Sequence, residues 1–104
     1  MIESIRIMGK TIHIMAKPHL VADEEARAVL ETRTLRIFID PNIDGQEQAE
    51  VCLHEIFEMV ARDMGITIDH AGMQRYSSGL YAVLRDNPEV AAHIVAGRRI
   101  VPKP

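Results

Sequence analysis

Residues 46–64 carry apolar side chains at helical spacing, Ala49, Cys52, Leu53, Ile56, Phe57 and Val60, and this run limits the fold more than any other part of the chain. An apolar stripe that recurs every three to four residues has to lie against something, so the rest of the chain must supply a sheet or another helix to cover it. Its start is marked by Asp44-Gly45-Gln46-Glu47. In this capping box Asp44 is the N-cap and Glu47, three residues on, reaches back to the Asp44 backbone N–H. Gly65 follows Met64 as the expected C-cap.

A second helix is expected after Asp69, where Met73, Tyr76, Leu80, Val83 and Leu84 repeat the periodicity. Gly79 lies inside it at a cost of about 1 kcal/mol against alanine, tolerable where a neighbouring helix approaches closely. Asn87-Pro88 ends that helix and opens a short third one, with Asn87 as N-cap and Pro88 at N1, running to Gly97. Residues 98–104, with two prolines, read as an extended tail.

Ahead of the helices the chain reads as strands. Ile5, Ile7 and Met8, the turn Gly9-Lys10, and the run from Thr11 to Met15 suggest a hairpin closed by Lys17-Pro18. Residues 34–39 form the clearest strand, ended by Asp40-Pro41-Asn42. Residues 22–31 fit either a turn of helix or a solvated loop. The expected fold class is therefore α+β in a single domain, residues 1–104. A short antiparallel β-sheet of about three strands spans residues 5–40, and two packed α-helices with a short C-terminal helix span residues 45–97.

Composition removes several classes of function. A net charge of −3 argues against a dedicated nucleic-acid binder, and the local pair Arg98-Arg99 does not reverse that. The single cysteine, Cys52, excludes an internal disulfide, fits a reducing compartment and reads as a small buried hydrophobe. Charges at Glu3, Arg6 and Lys10 break the first residues into an alternating pattern unlike a signal peptide. No apolar run approaches the ~20 residues of a membrane span, and the expected location is the cytoplasm.

Within the first helix stands His54-Glu55-Ile56-Phe57-Glu58. His54 and Glu58 are one turn apart on the same face, with Cβ atoms roughly 5–6 Å apart. In the metallopeptidase pattern HExxH, residues at i and i+4 hold zinc and the intervening Glu activates water. Here the second ligand position carries Glu. Zinc accepts imidazole nitrogen and carboxylate oxygen, and catalytic sites use three protein ligands plus an open position. His70, at the start of the second helix, is the best third ligand, and Gln74 a weaker candidate. Glu55 is the candidate general base, and Tyr76 or Tyr81 could steady an oxyanion. Mixed His and carboxylate ligands also suit other divalent transition metals such as iron or manganese. The plainer reading has Glu55 and Glu58 as solvated residues of a charged helix, His54 as a half-buried hydrogen-bonding residue and His70 as a capping or exposed residue. His13, His19 and His93 read as surface or loop residues.

The segment Cys52-Leu53-His54-Glu55-Ile56-Phe57-Glu58-Met59-Val60, followed by Ser78-Gly79-Leu80-Tyr81-Ala82-Val83-Leu84-Arg85-Asp86-Asn87-Pro88, resembles small phage and prophage proteins of a minimal zinc-metallopeptidase-like type, with an HExxH or HExxE helix. The resemblance covers residues 35–88. It implies a minimal zincin-like fold, His54 as first ligand, Glu55 as general base and Glu58 as second ligand. In the HExxH forms an acidic residue of the second helix completes the site. The corresponding stretch here, Met73-Gln74-Arg75, has no carboxylate, and His70 is the natural replacement. The implied location is then the host cytoplasm.

Three functional expectations follow. The first is a zinc-dependent peptidase with ligands His54, Glu58 and His70 and base Glu55, taking an extended peptide along an edge strand such as residues 34–39. The second is an inactive relative that serves as a protein-interaction or regulatory module, with structural metal or none. The third is a regulator of nucleic-acid machinery acting through the C-terminal helix and Arg98-Arg99. A homodimer is compatible with the small core and an exposed sheet edge.

Overall fold

A computed structural model describes residues 2–104, and only Met1 lies outside it. The elements run β1 (Ser4–Ile7), β2 (Lys10–Ala16), α1 (Leu20–Glu24), β3 (Ala28–Glu31), β4 (Arg36–Ile39), α2 (Gly45–Asp63), α3 (His70–Asp86) and α4 (Pro88–Ala96). The class is α+β, as the order of strand and helix patterns implies.

The sheet differs from expectation in two ways. It has four strands rather than three, in the order β1-β2-β4-β3, and it is mixed rather than antiparallel. β1–β2 and β3–β4 are antiparallel hairpins, but β2 and β4 run parallel, with Ile14 beside Ile37. The additional strand, β3, comes from the segment read as helix or loop. Ala28-Val29-Leu30-Glu31 has little strand propensity of its own. It becomes a strand because β4 offers a ladder with Leu30 opposite Ile37 and Val29 opposite Phe38, and tertiary pairing outweighs local preference. The parallel pair requires a crossover, and α1 with β3 supplies it.

Local chemistry explains the joints. Met8 and Gly9 both have positive φ, 49° and 84°, as a type I′ hairpin turn demands, so Met8 belongs to the turn and not to the first strand. Asp40 is buried and accepts from the backbone N–H groups of Val21 (3.0 Å) and Asn42 (2.9 Å), which ties α1 to the end of β4. Those two donors hold its carboxyl below the usual range. At the start of α2, Asp44 accepts from the Glu47 N–H at 2.8 Å. The reciprocal half of the capping box is replaced, since the Glu47 carboxylate turns to Arg27 at 3.7 Å. Asp69 caps α3 through the Gly72 N–H.

α2 lies on the sheet and α3 lies on α2. Ile7, Ile12, Ile37 and Met59 form the buried core, with Leu30, Ile56 and Val60 packed around them. The opposite sheet face, carrying His13 and Met15, is exposed. No described helix is long and apolar enough to cross a membrane.

β4 is flanked on both sides, so residues 34–39 are not the edge strand expected. Thr34 and Leu35 belong to the β3–β4 turn, and the two edges are β1 and β3.

Candidate metal centre

The site grows from the helical row Val51, Glu55, Met59 on α2. These residues recur every four positions, and all three are buried. Glu55 therefore occupies a core position, 6% exposed, and is not the solvated residue of the plainer reading. Its Oε2 is buried without a hydrogen-bond partner. A carboxylate placed this way is costly in its ionised form. Burial, followed by the adjacent charge of Glu58, pushes its pKa up from 4.5 to about 7, with Arg62 pulling the other way.

His54 and Glu58 stand beside it. His54 Nε2 is 3.9 Å from Glu58 Oε2, and Arg62 donates to Glu58 Oε1 at 3.3 Å. Donor atoms of His54, Glu55 and Glu58 all fall within 4.8 Å of one another. Two ligands on a tetrahedral zinc, each at about 2.0–2.1 Å, stand roughly 3.3 Å apart. The gap between His54 and Glu58 is about half an ångström wider, within reach of a small side-chain rotation.

α3 decides which His54 nitrogen is free. Ser77, 1% exposed, lies 3.2 Å from His54 Nδ1. Its hydroxyl also lies 3.0 Å from the Met73 carbonyl and 3.1 Å from that of Gln74. A hydroxyl has a single proton, and here it goes to these carbonyls. Ser77 Oγ is then free to accept from a His54 Nδ1–H, the tautomer that leaves the Nε2 lone pair toward Glu58. Burial lowers the His54 pKa, and His70 and Arg27 add to this while Glu58 opposes it.

His70 is adjacent to this group without joining it. It is exposed at the first position of α3, and its ring meets that of His54 edge-on, with centroids 5.3 Å apart. The helix hairpin thus brings the expected third ligand beside the first, while the tight cluster consists of His54, Glu55 and Glu58. Gln74 lines the same cleft. Neither tyrosine does. Tyr76 points away from α2, and Tyr81 lines a separate apolar groove with Leu53 and Ile56 and stacks on Arg85.

The cleft holds about 270 Å³ and is lined by Arg27, Glu50, His54, Glu55 and His70, with Ala28 of edge strand β3 at its side. Arg27 and Ser77 were not singled out in the sequence. Ser77 does carry a signal, being a hydroxyl four residues after Met73 on the inward face of α3. Arg27 carries none, because its place depends on β3. Cys52 is partly buried, and burial raises its thiol pKa, in keeping with an inert side chain. Comparison with protein-family models, with curated proteins and with solved structures finds no match to this chain.

Proposed function

We propose that this protein is a metal-dependent hydrolase of the peptidase type. His54, Glu58 and His70 would hold a zinc-like divalent cation, with Glu55 as general base. One observation carries the reading: a His54 ring nitrogen, the Glu58 carboxylate and a Glu55 carboxyl whose Oε2 has no partner converge within 4.8 Å. Acceptors brought together in a partly buried site repel unless a cation or a proton lies among them. The donor set of imidazole and carboxylate suits zinc and also iron or manganese.

A bound divalent cation of this kind supplies Lewis acidity and a water of lowered pKa. Glu55 would act as the general base, taking a proton from the attacking water and returning it to the leaving amine. Ser77 orients the His54 ring so that Nε2 faces the site. Arg62 fixes Glu58 through its other oxygen. Arg27, at the head of β3, provides a positive charge in the cleft, the role sought for a tyrosine. An extended peptide can add to the free edge of β3 beside the cleft. The resemblance of residues 52–60 and 78–88 to small phage metallopeptidase-like proteins supports the same reading, and we extend it to a place in the host cytoplasm.

The small cleft favours one alternative. A volume of about 270 Å³ lies just under the usual range of ligand sites, as suits a catalytically inactive relative that keeps the fold as an interaction module. The deciding experiment is metal analysis by mass spectrometry on protein never exposed to chelator or a nickel column. About one transition metal per chain, lost in His54→Ala and in His70→Ala, is expected. Protein without stoichiometric metal refutes the proposal. If metal is present, a Glu55→Gln variant with undiminished biological effect selects the interaction module.

A further inference from the structure

α3 has two apolar faces, and the chain covers only one. Met73 and Ser77 are buried toward α2, whereas Tyr76, Leu80 and Val83 remain exposed, Tyr76 by 68% and Val83 by 56%. With Gly79 these side chains fall within roughly a 100° arc of the helix. Gly79 weakens α3 relative to alanine, yet a Cβ built there meets nothing within 4 Å. Nothing inside the chain calls for glycine at this point. A second helix crossing there would.

We propose that this face forms a two-fold symmetric homodimer in which α3 of two copies packs antiparallel, crossing at Gly79 and Leu80. The sequence of the stripe is self-complementary under that symmetry. Tyr76 of one copy falls opposite Val83 of the other, and Gly79 lies near the axis, where the backbones approach most closely. The charges agree. Arg75 and Asp86 lie on the same flank of α3, and in this register an antiparallel partner brings Arg75 of each copy to within about two residues, roughly 3 Å along the axis, of Asp86 of the other, inside the reach of an arginine side chain. Among the described residues Arg75 has no ion pair within the chain, and Asp86 meets only its neighbour Arg85, at 3.4 Å. This inference does not depend on the metal site.

Sedimentation velocity on the full chain across a concentration series tests it. The wild type is expected to dimerise at micromolar concentration. Val83→Glu should raise the dimer Kd by about 100-fold or more, and Arg75→Glu and Asp86→Arg by about 10-fold each. The double variant Arg75→Glu/Asp86→Arg should return close to wild-type affinity, because each reversed charge meets a reversed partner. These positions are exposed, and circular dichroism of each variant confirms that the monomer folds. A wild type still monomeric at about 100 µM, a dimer indifferent to Val83→Glu, or a charge swap without recovery would each overturn the proposal.

Discussion

α2 and α3 look alike as sequence and differ in what surrounds them. Both are long, both start at an aspartate cap and both repeat apolar residues at helical spacing. α2 lies between the sheet and α3, and it buries Val51, Glu55, Met59 and Ala61. α3 has a neighbour along one side only, so Met73 and Ser77 are buried while Tyr76, Leu80 and Val83 face outward. Periodicity thus identifies a helix without saying which stripe is covered. The same contrast bears on the site. Glu55 holds a core position on α2 with its Oε2 unpartnered, while Ser77 and His70 of α3 both meet its neighbour His54.

The largest test of this contrast is cavity formation. Met59→Ala removes a side chain from the sheet-facing core and should cost about 2–5 kcal/mol in urea unfolding. Val83→Ala, on the outer face of α3, should stay within about 0.5 kcal/mol in the monomer. Equal losses would mean that α3 is covered on both sides within one chain.

Glu55 comes next. In the folded, metal-free protein its pKa lies near 7, above the 4.5 of an ordinary glutamate, so the folded state holds the proton more tightly than the unfolded chain. The resulting stabilisation is fully present below about pH 4.5 and is lost as pH rises through 7, on the order of 3 kcal/mol. Glu55→Gln should flatten that slope in melts of chelated protein between pH 4.5 and 8. A variant that keeps the wild-type slope would place Glu55 in solvent.

Ser77→Ala should leave the fold intact and weaken metal binding by about 10- to 100-fold, as loss of the partner that orients a ligand does. Titration of the chelated protein with zinc measures this, and the imidazole nitrogen shifts of His54 should report a mixed tautomer. Unchanged affinity would remove Ser77 from the site. The smallest effect concerns Gly79. In the monomeric Val83→Glu background, Gly79→Ala should stabilise the chain by up to about 1 kcal/mol, since a Cβ there meets open space. Destabilisation would reveal a neighbour within the same chain.

The features legible in the sequence depended on neighbours along the chain. The Asp44 and Asp69 caps, Pro88 at the first turn of α4 and positive φ at Gly97 appear where the residue pattern puts them, whereas α2 is capped by Met64 and Gly65 follows one residue later with positive φ. The one-turn spacing of His54 and Glu58 is equally local. β3 was not legible, because Ala28-Val29-Leu30-Glu31 becomes a strand only beside β4. The edge of the sheet was misplaced for the same reason. Tyr76, Leu80 and Val83 share the helical period of Met73 and Leu84, so spacing alone could not show that they point away from α2.

By itself the sequence determined the α+β class, the start and end of each long helix, and the pairing of His54 with Glu58, because capping bonds and helical pitch act within a few residues. The tertiary structure alone decided the parallel register of β2 and β4, the burial of Glu55, the contact of Ser77 with His54 and the placing of Arg27 in the cleft. Each of these depends on a group distant in sequence, and on how α3 and β3 are turned toward α2.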